Sequence, residues 1–199
     1  MKMNAISRIV ALCLLTAAPA AAELSRAVSE IGPDHEVAAH WGSTVPGKGA
    51  AYILFDQEAG HIKELVLRID GVPHDRLANA GPEGLFGPVH IHNYPQGGPD
   101  FFILQLPGDF TATETGFEFR LENWQVEAPL GRKHDGIDAA FVMSEIVAGN
   151  AYFGVHTDHA LCPGNSGAAN ICAAPATALS GRLNLVPILR AEQLASYKQ

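Results

Sequence analysis

Short runs of branched and aromatic residues, broken by Gly- and Pro-rich turns, constrain the fold of this chain more than any other feature. In GFEFRLENWQV the apolar Phe117, Phe119 and Leu121 alternate with charged residues, the period of a strand with one solvated face. Residues 137–150 fit either a short helix or a strand followed by a turn. Little other helix is indicated, so we expect one antiparallel β-sandwich or barrel. The predicted strands cover residues 50–56, 61–70, 87–93, 100–106, 116–126, 151–157 and 179–189.

The N-terminal segment has the features of a secretory signal peptide. Lys2 and Arg8 supply a positive start, and IVALCLLTAAPAAA supplies an apolar run with a small-residue end that fits an A-x-A cleavage site. The apolar run is too short for a membrane span, and no second run follows. We expect residues 1–22 to be removed from a secreted or periplasmic protein, with one domain over 35–189 and a C-terminal tail over 190–199.

The chain that follows the signal peptide is strongly acidic. It retains 11 Lys and Arg against 21 Asp and Glu, a formal charge of −10, because residues 1–22 carry two basic side chains and no acidic one. Such a charge repels nucleic acid and anionic lipid and attracts cations, including metal ions. We therefore expect no nucleic-acid partner and no membrane span, and the sequence specifies no protein partner.

Two cysteines, Cys162 and Cys172, remain after the signal peptide. An even number of cysteines in an exported chain predicts a disulfide, here closing the loop CPGNSGAANIC. Closing so short a loop stabilises a fold by at most about 3 kcal/mol. The alternative, a two-cysteine metal site, lacks the C-x-x-C spacing.

Two strand candidates carry histidines that leave the strand on one face. In PVHIHN, the period of two directs Val89 and Ile91 to one face and His90 and His92 to the other. In AYFGVHT, the same argument directs His156 away from the apolar face. If the two strands are neighbours, the three imidazoles converge and could share one metal ion.

Two interpretations of these histidines stay open. As a metal site, the three would hold an ion beside an open space left by Gly154, with His61 and His159 as candidates for a further ligand. Alternatively, the histidines are polar side chains that project from the outer wall of the sandwich into water. No residue is predicted to be catalytic, because the serine of GNSG lacks the strand-to-helix setting of a nucleophile.

The HIH segment, its Gly- and Pro-rich turn, the later GNAYFGVHT and the closing SGRL together resemble the CHRD domain, named after chordin. The resemblance covers roughly residues 36–187 and implies an exported, immunoglobulin-like β-sandwich, while implying little about activity. The closing segment departs from the family's G-E-I-R-G-x-L, because its acidic residue is missing here. The residues that match the two later motifs are Gly149, Tyr152, Val155, His156, Thr157, Gly181 and Leu183.

The histidines also resemble the copper ligands of copper/zinc superoxide dismutase, an H-x-H pair on a strand and a later strand histidine. His90, His92 and His156 match that trio in order and setting. No histidine lies between His92 and His134, where that enzyme places its bridging ligand and zinc loop. The likeness therefore implies copper bound by three histidines, with zinc as the alternative, and does not imply the two-metal enzyme.

Together these features predict an all-β, antiparallel Greek-key β-sandwich, immunoglobulin-like or superoxide-dismutase-like. The predicted function is an exported CHRD-like binding module that holds one metal ion, copper or else zinc. Two alternatives remain: a copper-dependent superoxide or redox enzyme at the same site, and a metal-free extracellular interaction domain.

Overall fold

A computed structural model describes residues 24–40, 43–79, 87–93, 101–127, 137–158 and 177–188. Within these ranges the chain forms ten β-strands and two short α-helices. The helices are α1 (Glu36–His40) and α2 (Ala139–Val147). The strands are β1 (Leu24–Ile31), β2 (Lys48–Asp56), β3 (His61–Asp70), β4 (Val89–Asn93), β5 (Phe101–Gln105), β6 (Thr111–Ala112), β7 (Gly116–Gln125), β8 (Ala151–His156), β9 (Thr177–Arg182) and β10 (Asn184–Val186).

The strands form two antiparallel sheets, which confirms the predicted all-β sandwich. The larger sheet has the order β10-β1-β2-β3-β7-β6, and the smaller has the order β5-β4-β8-β9. Neighbours such as β3 and β7, or β4 and β8, are distant in the chain, because the chain passes repeatedly from one sheet to the other.

The core lies between the sheets, where the apolar residues of each alternating strand meet. Helix α2 packs against it through Val142, Met143 and Ile146. Of the two alternatives predicted for residues 137–150, a helix or a strand followed by a turn, the helix is therefore the correct one. Asp138 begins that helix by accepting a hydrogen bond from the Phe141 N–H at 2.9 Å. Fully buried members of the core from the two sheets are Ile53, Phe55, Leu65, Leu67, Ile69 and Phe117, and Ile91, Phe153, Val155 and Leu179.

The two sheets approach each other most closely where β9 lies beside the end of β1. The Gly32 N–H donates to the Ser180 carbonyl at 2.9 Å, and the Ser180 N–H donates back at 3.0 Å. A Cβ added at Gly181 would lie 2.2 Å from the Glu30 carbonyl oxygen, so only glycine allows this approach. The chain then enters the larger sheet as β10. The single strand predicted over 179–189 is therefore wrong: two strands, in different sheets, occupy that region.

Strand β1 is the longest of three elements that the sequence did not predict, the others being α1 and β6. It pairs with β2 along its full length and lies ahead of residue 35, where the domain was predicted to begin. Its buried positions are occupied by Ala27, Ser29 and Ile31. Because two of these three side chains are small or polar, the segment shows no apolar period of two, and its pairing depends on contacts distant in the chain.

Several predictions fall outside the described residues. The longest helix within the described ranges has nine residues, and none there is long and apolar enough to cross a membrane. Outside those ranges lie the predicted signal peptide at residues 1–22, the predicted disulfide between Cys162 and Cys172, the candidate ligand His159, and the tail at 190–199.

Candidate metal centre

Three histidines meet on one face of the smaller sheet. His90 and His92 lie on β4, His156 ends β8, and these two strands are hydrogen-bonded neighbours. The His156 N–H donates to the Pro88 carbonyl at 2.8 Å, which holds the end of β8 against the start of β4. One ligand nitrogen from each ring can be chosen so that all three lie within 4.8 Å of one another. The three side chains could therefore hold a metal ion.

This face of the sheet is buried, contrary to the expectation that the histidines project into water. His90 is 2% exposed and His156 is 5% exposed, while His92 is partly buried. Every residue of β8 is buried, on both of its faces. The alternation correctly separated the two faces, and the burial of His90 and His156 contradicts the alternative interpretation, in which the histidines project into water.

A backbone carbonyl fixes the protonation of His90. The His90 ring donates its Nε2–H to the Gly87 carbonyl, so in the neutral ring the lone pair lies on Nδ1. That Nδ1 lies 3.2 Å from Nε2 of His92, which donates a hydrogen bond to it in the absence of an ion. Metal-binding histidines commonly donate their second ring N–H to a carbonyl in this way. His90 is thus oriented as a ligand before any ion arrives.

Burial keeps His90 neutral. Desolvation, reinforced by the neighbouring His156 and His92, lowers the pKa of His90 to about 2, although the bond to Gly87 acts in the opposite direction. Neutral imidazole is the form that binds metals, because the coordinating nitrogen must carry a lone pair. His90 therefore requires no deprotonation near neutral pH.

Gly154 leaves space between the rings. It lies opposite His90 in the β4–β8 pair, so its missing side chain would share the histidine face. A Cβ built there would lie 3.1 Å from both Cδ2 and Nε2 of His92 and 3.6 Å from Nε2 of His156. The position that an alanine methyl would fill is therefore next to two of the candidate ligand nitrogens, which fits the room that an ion needs.

A buried tyrosine supports one of the rings. Tyr152 is fully buried and stacks on His92, with ring centroids 5.1 Å apart and planes at 17°. The histidine rings themselves are tilted to one another by 34° to 38°, with centroids 4.7 to 5.9 Å apart. The stack fixes the plane of His92, which is the most exposed of the three ligand candidates.

Comparison of the chain with protein-family models, with curated proteins and with solved structures gave no match. The likeness to the CHRD domain and to superoxide dismutase therefore stays a prediction from motifs. Function has to be argued from the histidine site itself.

A fourth histidine, His35, helps to cover the same face on its β9 side. Arg182 N–H donates to Nε2 of His35 at 3.1 Å, so the neutral ring carries its proton on Nδ1 and donates it to Ser180 Oγ at 2.7 Å. Ser180 Oγ also accepts the Ala38 N–H of α1 at 2.9 Å. Burial, and secondarily the charge of Arg182, lowers the pKa of His35. These bonds attach α1 to the sheet.

His61, one of the two further predicted ligands, is not part of this cluster. His61 begins β3 in the larger sheet, and its Nδ1 lies 2.6 Å from Lys63 Nζ. In the ranges that the structure describes, the His90, His92 and His156 trio is the only group of three or more metal-ligating side chains. Sequence reasoning missed the Gly87 carbonyl and the covering role of His35. The first had a signal in the Gly-Pro pair that precedes the HIH segment, whereas the second had none.

Proposed function

We propose that this protein is an exported CHRD-like β-sandwich module that holds one metal ion, copper in preference to zinc, through His90, His92 and His156. One observation carries the proposal: the three rings offer nitrogens within 4.8 Å of one another on neighbouring strands. The export signal and the CHRD likeness support the location and the family from motifs alone.

The surroundings of the rings fit an ion better than they fit three merely polar side chains. Polar side chains that only face water have no reason to be buried, yet His90 and His156 are almost completely shielded. The Gly87 carbonyl orients one ring, Tyr152 orients another, and Gly154 leaves room between them. Each of these features is what a ligand set requires from its neighbours.

The nitrogens need a small closure to meet one ion. Two ligands that each lie about 2 Å from an ion are at most about 4 Å apart. His90 Nδ1 and His92 Nε2 already satisfy this condition at 3.2 Å, and the trio as a whole spans up to 4.8 Å. We propose that binding draws the rings together by up to about 1 Å.

The donor set favours copper. Three imidazoles suit both copper and zinc, but the general order of divalent affinities places Cu²⁺ above Zn²⁺. The likeness to the copper trio of superoxide dismutase points the same way. Bound copper would supply Lewis acidity and one-electron chemistry. Because two of the three ligands are shielded from solvent, the geometry supports retention of the ion rather than turnover of a substrate.

The first experiment measures metal content and affinity. The mature protein is stripped with a chelator, loaded with Cu²⁺ or Zn²⁺, desalted and examined by elemental analysis and by competition with a coloured chelator. We expect one copper per chain, and loss of stoichiometric binding in His90→Ala and in His156→Ala. His61→Ala is the matched control, a strand histidine of the other sheet that should keep the ion. A wild-type protein that returns metal-free would overturn the proposal.

A second variant tests the space beside the rings without touching a ligand. Gly154→Ala places a methyl 3.1 Å from the His92 ring, so we expect copper affinity to fall about 10- to 100-fold, the range typical of altered ligand surroundings. Circular dichroism verifies that the variant folds. Unchanged affinity would show that the ion does not lie where the geometry indicates. Superoxide dismutation above that of an equal amount of free copper would instead support the enzyme alternative.

A further inference from the structure

A cavity of about 340 Å³ is lined by none of the three clustered histidines. It lies between the segment that precedes β2, the turn that follows β3, and the end of β8. Its volume is in the range of small-molecule sites. Four apolar residues and two polar ones define its character: Val45, Pro46, Val72 and Pro73, with Arg76 and Thr157.

Thr157 carries an unsatisfied hydroxyl. The residue is 1% exposed, and within the described part of the chain its Oγ1 has no hydrogen-bond partner. A buried hydroxyl without a partner is destabilising, and a valine of the same shape would avoid that cost. Thr157 lines the cavity, and rotation about its Cα–Cβ bond exchanges the positions of its hydroxyl and methyl groups. The hydroxyl can therefore form a hydrogen bond to a molecule bound in the cavity.

Arg76 contributes a guanidinium group to the same cavity. Its Nε–H donates to Asp158 Oδ1 at 2.9 Å, and the side chain is 35% exposed. An arginine has five N–H donors, so the bond to Asp158 leaves donors suited to a second carboxylate. The guanidinium is the only charged group among the lining residues.

Backbone pairing fixes the two polar residues relative to each other. The Asp158 N–H donates to the Arg76 carbonyl at 3.0 Å, and the Ala78 N–H donates to the His156 carbonyl at 3.2 Å. An isolated bridge between Leu77 and Thr157 lies between these two bonds. The donors of the cavity therefore lie on a short antiparallel ladder rather than on independent loops.

We propose that this cavity binds a small carboxylate with an apolar body. The apolar body packs against the valines and prolines, the carboxylate accepts hydrogen bonds from the Arg76 guanidinium, and the Thr157 hydroxyl donates to the same head group. A neutral or cationic molecule of equal shape would not offer a second carboxylate to the guanidinium, whose Nε–H already bonds to Asp158. This proposal does not depend on the metal site.

The first test compares three molecules of similar shape. Phenylacetate, phenylacetamide and phenethylamine are titrated into the chelator-treated full chain by isothermal calorimetry, so that no carboxylate can bind through a metal. We expect phenylacetate to bind one per chain, and the amide and the amine to bind about 10- to 100-fold more weakly, as loss of a charge-assisted hydrogen bond implies. Equal binding of the amide, or no binding of phenylacetate, would overturn the proposal.

Variants then locate the site. Arg76→Gln should weaken phenylacetate binding about 10- to 100-fold, and Arg76→Lys should weaken it less because the charge remains. Arg120→Gln is the matched control, since Arg120 also makes an ion pair, with Glu64 at 2.7 Å, but lies on the larger sheet. Arg76→Gln should still load one copper per chain, because Arg76 is not part of the histidine cluster, and this separates the proposal from the metal site.

Thr157→Val should change the stability of the protein and its affinity for phenylacetate in opposite directions. Removal of an unsatisfied hydroxyl should raise the Tm of the ligand-free protein, while the loss of a donor should weaken phenylacetate binding. A lower Tm would show that the hydroxyl already has a structural role, and unchanged affinity would show that it does not meet the ligand. Either result would contradict the proposed role of Thr157.

Discussion

The outer faces of the two sheets are built on the same alternation but have opposite surroundings. On β3 and β7 of the larger sheet, most residues between the core positions are charged and exposed or partly exposed: Glu64, Arg68, Glu118, Arg120 and Glu122. On the smaller sheet, the corresponding face carries histidines, a tyrosine and small residues, most of them buried, and its one charged member, Arg182, is paired with Glu36. The other members are His90, His92, Tyr152, Gly154, His156 and Ser180. A period of two tells which side chains share a face, and it does not tell what covers that face.

The chemistry of each face follows from its cover. Water solvates charges on the larger sheet, where ion pairs form and contribute little. Under a cover of protein, unpaired charges would be costly, so imidazole, phenol and hydroxyl groups take most of these positions, and the charge of Arg182 is paired with Glu36. The absence of Lys and Glu from VHIHN and AYFGVHT was the compositional sign of this difference.

The largest expected effect contrasts two tyrosines that point outward from different sheets. Tyr152 is fully buried on the smaller sheet, whereas Tyr52 on β2 is partly exposed on the larger one. We expect Tyr152→Ala to lower the free energy of unfolding by about 3–5 kcal/mol, as for large aromatic residues in cores. Tyr52→Ala should cost about 1 kcal/mol, the scale of a cross-strand contact. Urea unfolding of the metal-free protein measures both.

One outcome of this experiment would contradict the contrast between the two tyrosines. If the two alanine variants lose similar stability, the outer face of the smaller sheet is no better covered than that of the larger, and the burial of the histidines loses its significance. Tyr152→Phe is the control that keeps the ring and its stack on His92. It should retain most of the stability that Tyr152→Ala loses.

Local patterns predicted the strands better than they predicted the site. The strand expected over 61–70 has those bounds in the structure, because its buried positions are large and apolar. His90 and His92 meet His156 because β4 and β8 are neighbouring strands. From the sequence, this pairing could be assumed only as a condition and could not be predicted. Sheet order is decided by contacts between distant segments, which no local period records.

The cover of the histidine face could not be predicted for the same reason. His35 and α1 come from a segment with no apolar periodicity, and they reach β9 through bonds to Ser180 and Arg182, more than 140 positions along the chain. A sequence contains the donors and acceptors of such bonds but not their pairing. The sequence therefore left open whether this face is solvated, although it identified His90, His92 and His156 as members of the face.

A smaller effect follows from pH. In the folded protein burial lowers the pKa of His35, whereas in the unfolded chain the ring has its ordinary value near 6.5. Below pH 6.5 the unfolded state takes up a proton that the folded state does not, so stability falls as pH falls. The ring is only half-buried, so its own contribution to the slope should be well under about 1.4 kcal/mol per pH unit. The lowered pKa of His90 adds a separate contribution of the same sign, which is common to the wild type and to variants of His35.

His35→Gln tests this slope, because glutamine keeps a hydrogen-bond acceptor but cannot take up a proton. Urea unfolding of the metal-free protein at pH 7.5, 6.5 and 5.5 should show a flatter decline for this variant than for the wild type. Arg120→Gln, on the solvated face, should shift all three values equally. A decline as steep in His35→Gln as in the wild type would show that the cover contributes nothing to the pH dependence.

The smallest effect belongs to the solvated face. Arg120 and Glu64 form an ion pair at 2.7 Å, but the arginine side chain is 60% exposed and the glutamate side chain 29% exposed. A double-mutant cycle of Arg120→Gln and Glu64→Gln should give a coupling of about 0.2–1 kcal/mol, and 1 M salt should remove most of it, because exposed pairs are screened. A coupling that persists in salt would mean that this face, too, is shielded from water, and the contrast between the two sheets would then lie in the residue types alone.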